Sequence, residues 1–105
     1  MKLQEQKCEP VSAGTRPFSK EDARNKMKEI PEWQFKDNAI ERQFKFKDFK
    51  EAIGFVNEVA DLANHEDHHP DIHISYNKVT IELSTHKIGG LSENDFIVAA
   101  KINEL

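Results

Sequence analysis

All five histidines of this 105-residue chain lie between His65 and His86. Imidazole is the side chain whose unperturbed pKa, roughly 6.5, lets it give or take a proton near neutral pH, so crowding them together is a chemical signal. The stretch runs Asn64-His65-Glu66-Asp67-His68-His69-Pro70-Asp71-Ile72-His73, with His86 further on. His68, His69 and His86 read as neutral imidazoles at a pocket mouth, able to protonate a leaving oxygen and relay a proton. They read equally well as a polar helix end whose rings cap carbonyls. A metal reading competes, because His65 and His69 have i, i+4 spacing and His86 could be a third ligand with a position left for water. That spacing is similar to the zinc-protease helix motif, Glu66 included, but Pro70 breaks the helix directly after it, and no metal is expected. His65 is assigned to a solvated helix face and His73 to an exposed cross-strand pair with Glu82. Cys8 has no basic or histidine neighbour in sequence, which weakens a nucleophile reading. Asp95 is most simply an N-terminal helix residue.

These residues need a helix-to-strand junction to hold them. Asp48 and Glu51 form a capping box, and Phe49, Ala52, Ile53, Val56, Val59, Ala60 and Ala63 trace the stripe of a long helix ahead of the histidines. Phe55 and Leu62 fall off that stripe and would widen the core face or mark a subunit contact. Pro70 ends the helical pattern. Beyond it, Ile72, Ile74 and Tyr76, then Val79, Ile81 and Leu83, alternate with polar residues as a β-hairpin. A two-residue turn at Asn77-Lys78 predicts Tyr76 opposite Val79, Ile74 opposite Ile81, Ile72 opposite Leu83, and His69 opposite His86.

The flanking elements follow the same logic. Ser19 and Asp22 predict a helix over about residues 20–30, with Ala23, Met27 and Ile30 inward and Pro31 as its stop. Trp33 to Lys36 and Ile40 to Phe46 alternate around Asp37-Asn38 as a first hairpin, although Arg42 interrupts the apolar side. After Gly89-Gly90, Ser92 and Asp95 cap a last helix whose Val98, Ile102 and Leu105 add apolar surface beyond one core contact. Residues 1–17 show no periodicity and read as an extended arm, laid on the surface or left loose, with no element of its own. The expected fold class is α+β, in the order α-β-β-α-β-β-α, a four-stranded antiparallel sheet with three helices on one face.

Length and composition restrict the function classes. One domain over residues 1–105 is expected, with nothing left for a second core. A single cysteine excludes a disulfide framework and fits a reducing compartment. No apolar run approaches the roughly 18 residues of a membrane span, and the N-terminus lacks a signal-peptide core, so a cytoplasmic location and no membrane partner are expected. Fifteen basic against nineteen acidic residues, without a basic block, argue against a nucleic-acid partner.

His68-His69-Pro70, Tyr76-Asn77-Lys78-Val79, Ser84-Thr85-His86, Gly90-Leu91-Ser92 and Asp95, with Trp33 after the first helix, resemble the signature of the pterin-4a-carbinolamine dehydratases, also called 4a-hydroxytetrahydrobiopterin dehydratases. The resemblance runs from about Phe18 to Ile102. It implies no metal, no organic cofactor and a homodimer or homotetramer. It also implies a pterin substrate: loss of water from a 4a-hydroxy-tetrahydropterin to give the quinonoid dihydropterin, in recycling of the cofactor of aromatic amino acid hydroxylases. By this resemblance His68 and His86 are the proton-transfer pair and His69 is the catalytic-site histidine that binds and orients the pterin. Pro70, Thr85 and Asp95 complete the substrate site, with Asp95 behind the histidines. Relatives often carry a carboxylate four residues before the first histidine, where this chain has Asn64, a difference that bears on how that first imidazole is oriented. The rival class is a protein-binding module, since some members of this family also serve as dimerisation cofactors of a transcription factor.

Overall fold

The computed structural model describes residues 2–105, so the first position of the expected arm lies outside it. The elements are α1 (Lys20–Met27), β1 (Gln34–Lys36), β2 (Ala39–Lys45), α2 (Phe49–Glu66), β3 (Asp71–Ser75), β4 (Lys78–Leu83) and α3 (Glu93–Ile102). The expected α-β-β-α-β-β-α order is found, and the strands form one antiparallel sheet in the order β1-β2-β4-β3.

Ser19 starts α1 by accepting the Asp22 amide at 3.1 Å. The helix ends at Met27, three residues sooner than its spacing predicts, because the residue before Pro31 is disfavoured in the helical region. Ile30 and Trp33 stay buried all the same, carried inward by tight turns. The first hairpin turns at Asp37-Asn38, with Asp37 at φ +53°. Arg42 is tolerated on the core side of β2 because its guanidinium lies 4.4 Å from the centre of the Phe44 ring and donates to Asn103 Oδ1 at the end of α3.

In α2 the buried line is Ala52, Phe55, Val59 and Ala63, while Phe49 is half exposed. Phe49 thus drops out of the expected stripe, while Phe55 and the partly buried Leu62 widen the core face. Phe55 meets the rings of Phe44 and Phe46 at 4.6 and 5.0 Å, and this aromatic group, rather than a subunit contact, accounts for it.

The second hairpin turns at Tyr76-Asn77, one residue before the expected site. Ile74 pairs with Val79, Ile72 with Ile81 and Asp71 with Glu82. Asn77 decides this: its Nδ2 donates to the Phe46 carbonyl and its own carbonyl accepts the Phe46 amide, which leaves Tyr76 to take φ +54°. His69 is therefore not set opposite His86 by strand register. His73 faces Thr80, not Glu82.

Helix α3 is the centre of the core. Phe96, Val98 and Ala99 are fully buried and Ile97 and Ile102 almost so, against the sheet face that carries Ile40, Val79, Ile81 and Leu83. The spare apolar surface expected from Val98 and Ile102 is absent, because the helix is enclosed on several sides; Leu105 alone of that set is exposed. Part of the enclosure comes from the N-terminal arm. It forms a 3₁₀ turn at Leu3–Glu5, an element the lack of periodicity did not suggest, and Leu3 packs into the core beside α3. The opposite sheet face carries Gln34, Glu41, Gln43, Thr80 and Glu82, with Lys36 reaching both Glu41 and Glu82, so it can face water. Among the described residues no helix is long and apolar enough to cross a membrane.

Candidate active site

The site forms where the end of α2 meets the start of α3. Asp67 closes α2 in the left-handed conformation, with φ +53° and ψ +39°, and the Asp67 and His68 amides both return to the Ala63 carbonyl. This cap turns His68 back across the helix end. Its Nε2 lies 2.6 Å from Oδ1 of Asp95, whose side chain is fully buried.

Asp95 is held from both sides. Its Oδ2 accepts the Thr85 hydroxyl and the Ser92 amide, each at 2.9 Å. Since the Thr85 proton points to Asp95, the 2.7 Å contact between the Thr85 and Ser92 hydroxyls is donated by Ser92. The loop after β4 makes this possible: a bridge between Thr85 and Gly90 closes it, Gly89 supplies a φ of +67°, and a Cβ on Gly90 would come within 2.7 Å of Pro17. An ionised carboxylate only accepts, so the proton of the short contact sits on His68 Nε2 and Nδ1 is left as the ring's acceptor. The carboxylate fixes the ring's tautomer and plane.

The other histidines are held more loosely. His69 Nε2 lies 3.0 Å from Asn64 Oδ1, a neutral partner. Asn64 therefore orients the second histidine of the pair, and Asp95 orients the first. His86 opens the short turn His86–Ile88; its side chain is 79% exposed and reaches Asp71 at only 3.9 Å. His65, assigned from sequence to a solvated helix face, also lines the cavity, whereas His73 stays on the polar side of the sheet. Among the described residues no group of three histidine, cysteine, aspartate or glutamate side chains converges as a metal ion would need.

His65, His68, His69 and His86 border one cavity of about 460 Å³, bounded by residues 65–69, 84–87, Asn94 and residues 7–11 of the arm. That volume falls within the range of small-molecule sites. Thr85 borders it with its hydroxyl committed to Asp95, whereas Pro70, half-buried, is not among the residues that line it. Cys8 is on the wall, but burial, then the charge of Glu66, pushes its thiol up to about 12, which removes it as a nucleophile at neutral pH. Burial alone would raise the Glu66 carboxyl; the Cys8 amide and Lys101 outweigh it and hold Glu66 below its ordinary value. The arm and its anchors were missed in the sequence because nothing linear links Glu9 to Asn94 or Cys8 to Glu66.

The family model for pterin 4 alpha carbinolamine dehydratase matches residues 16–105. The chain belongs to that family, a family of hydro-lyases. A Nitrosomonas eutropha protein named provisionally as a pterin-4-alpha-carbinolamine dehydratase is 48% identical over 104 residues, covering 98% of this chain and 92% of its own. One from Alkaliphilus metalliredigens, named in the same way, is 47% identical, covering 97% of this chain and 94% of its own. Among solved structures, a transcriptional coactivator/pterin dehydratase from Brucella melitensis superposes with a TM-score of 0.80 at 36% identity, over 85% of this chain and 97% of its own. A pterin dehydratase-like RuBisCO assembly factor of the alpha-carboxysome shares the fold, with a TM-score of 0.57 at 22% identity over 69% of this chain and 83% of its own. In this dehydratase-family chain the histidine pair lines one cavity, and the aspartate after the glycine turn, far away in sequence and fully buried, holds the first of the pair from behind it.

Proposed function

We propose that this chain dehydrates a 4a-hydroxy-tetrahydropterin to the quinonoid dihydropterin, returning an oxidised pterin cofactor to the form that a reductase can recycle. The observation that carries the reading is His68 fixed by a buried, fully partnered Asp95 at the edge of a cavity of pterin size, in a member of this family. Hydroxide is a poor leaving group. The C4a–O bond breaks as an acid protonates its oxygen, the N5 lone pair forms the C4a=N5 bond, and the N5–H proton passes to a base. With Asp95 as countercharge, His68 is suited to accept the N5 proton, and the exposed His86, in exchange with solvent, to supply the proton to the departing water. His69, steadied by neutral Asn64, binds and orients the pterin. No step calls for a metal ion.

Purified protein treated with a chelator is expected to accelerate decay of a 4a-hydroxy-tetrahydropterin at its full rate. No acceleration would overturn the dehydratase reading, and activity lost on chelation and restored by zinc would overturn the metal-free step.

A homodimer is part of the same proposal. With α3 enclosed, the exposed apolar groups that favour association are Ile74 and Tyr76 at the β3 edge of the sheet. Sedimentation at micromolar concentration should give a dimer or larger, reduced by Ile74→Lys; a wild-type monomer would contradict it.

A further inference from the structure

We propose that the N-terminal arm is a strap that completes the pterin cavity, and that Asn94 and Glu66 are positioning residues that set substrate affinity by holding it there. The inference rests on the dehydratase reading and adds a part outside residues 16–105, where the family model matches. Its ground is geometric. Asn94, itself buried, pairs with the backbone of Glu9 in both directions: Oδ1 accepts the Glu9 amide at 3.0 Å and Nδ2 donates to the Glu9 carbonyl at 2.6 Å. One residue earlier, the Cys8 amide donates to Glu66 Oε1 at 2.9 Å, and the other oxygen of Glu66 faces Lys101 at 3.4 Å. Leu3, sunk beside α3, anchors the far end.

The clamp holds one segment in place against the cavity. Residues 7–11 line it together with the histidines, and Pro10 and Val11 bring apolar surface to it. A flat bicyclic substrate needs its faces covered to be oriented and kept from water, and the arm supplies wall that the histidine junction alone does not. The anchors interleave with the chemistry, Asn94 beside Asp95 and Glu66 two residues before His68. A merely structural role would therefore disturb the His68–Asp95 contact and lower kcat, whereas loss of a wall raises KM.

The test is Asn94→Ala, which cuts both bonds to Glu9, alongside Glu9→Pro, which removes the amide donor from the arm's side and leaves buried α3 untouched. Two readouts are taken: steady-state dehydration with its pH profile, and the labelling rate of Cys8, the chain's only cysteine, by a thiol reagent, with and without 7,8-dihydrobiopterin. In the wild type, labelling should be slow and slower still with the pterin. Freed arms should label about tenfold faster or more, since an exposed thiol returns toward its ordinary pKa of roughly 8.5. They should also raise KM about tenfold, the worth of a lost pair of hydrogen bonds, with kcat within about twofold. If Asn94→Ala does not fold, Glu9→Pro decides. Unchanged labelling, faster labelling with unchanged KM, or a fall in kcat with a shifted pH profile at constant KM would each overturn the strap. An inactive wild type would overturn the dehydratase reading instead, and the arm's place at a pterin cavity would then stand or fall on whether the pterin slows Cys8 labelling.

Discussion

His68 and His86 border the same cavity in opposite physical conditions. His68 is 12% exposed and tied at 2.6 Å to a carboxylate that is itself buried and held by Thr85 and Ser92; His86 is 79% exposed, and its carboxylate, Asp71, stands 3.9 Å away. A ring held by a buried charge has one tautomer and one direction in which to act, while a ring open to water can be reloaded between turnovers. The proposed elimination of water would use both, one group to take a proton in a fixed geometry and another to deliver one and recover it from solvent.

The widest break in this contrast comes from its closed side. His68→Ala should lower turnover about 10²–10⁴-fold, the usual worth of a positioned acid–base group, measured as kcat for dehydration in a variant whose melting temperature shows that it folds. His86→Ala should cost less, about 10²-fold, and imidazole added to the buffer should restore part of the rate, because small molecules reach the open side. Equal rescue of both variants would erase the distinction. His69→Ala and Asn64→Ala should act on binding, raising KM about tenfold with kcat within about threefold, since neither side chain is tied to a charge. His73→Ala should leave both constants within about twofold. A large loss there would mean that the polar side of β3 takes part in the site.

The sequence was informative where a local rule decides the structure. Capping residues at Ser19, Asp48 and Ser92, period-two alternation and the breaks at Pro31 and Pro70 delivered the element order and the histidine junction. It was less informative where distant residues compete. Tyr76 is a good strand residue, yet the bonds from Asn77 to Phe46 pull it into the turn and move the register, and that removes the cross-strand route by which His69 and His86 were expected to meet. They share the cavity through the closed loop between Thr85 and Gly90 instead. Asp95 was legible as a helix cap, and it is one, accepting the Ser92 amide. Its other oxygen, turned to His68, depends on a packing of α2 against α3 that no spacing rule contains. The docked arm was legible least, since a chain without periodicity gives no sign of the side chains that will bind its backbone.

The most direct measurement of the division between the two histidines is a double-mutant cycle on His68 and Asp95, read in single-turnover dehydration with enzyme in excess. If Asp95 acts through His68, Asp95→Asn alone should cost a large part of what His68→Ala costs, and the double variant should be no slower than His68→Ala. Losses that multiply in the double variant would show that Asp95 acts independently of His68 and would contradict the pairing on which the mechanism stands.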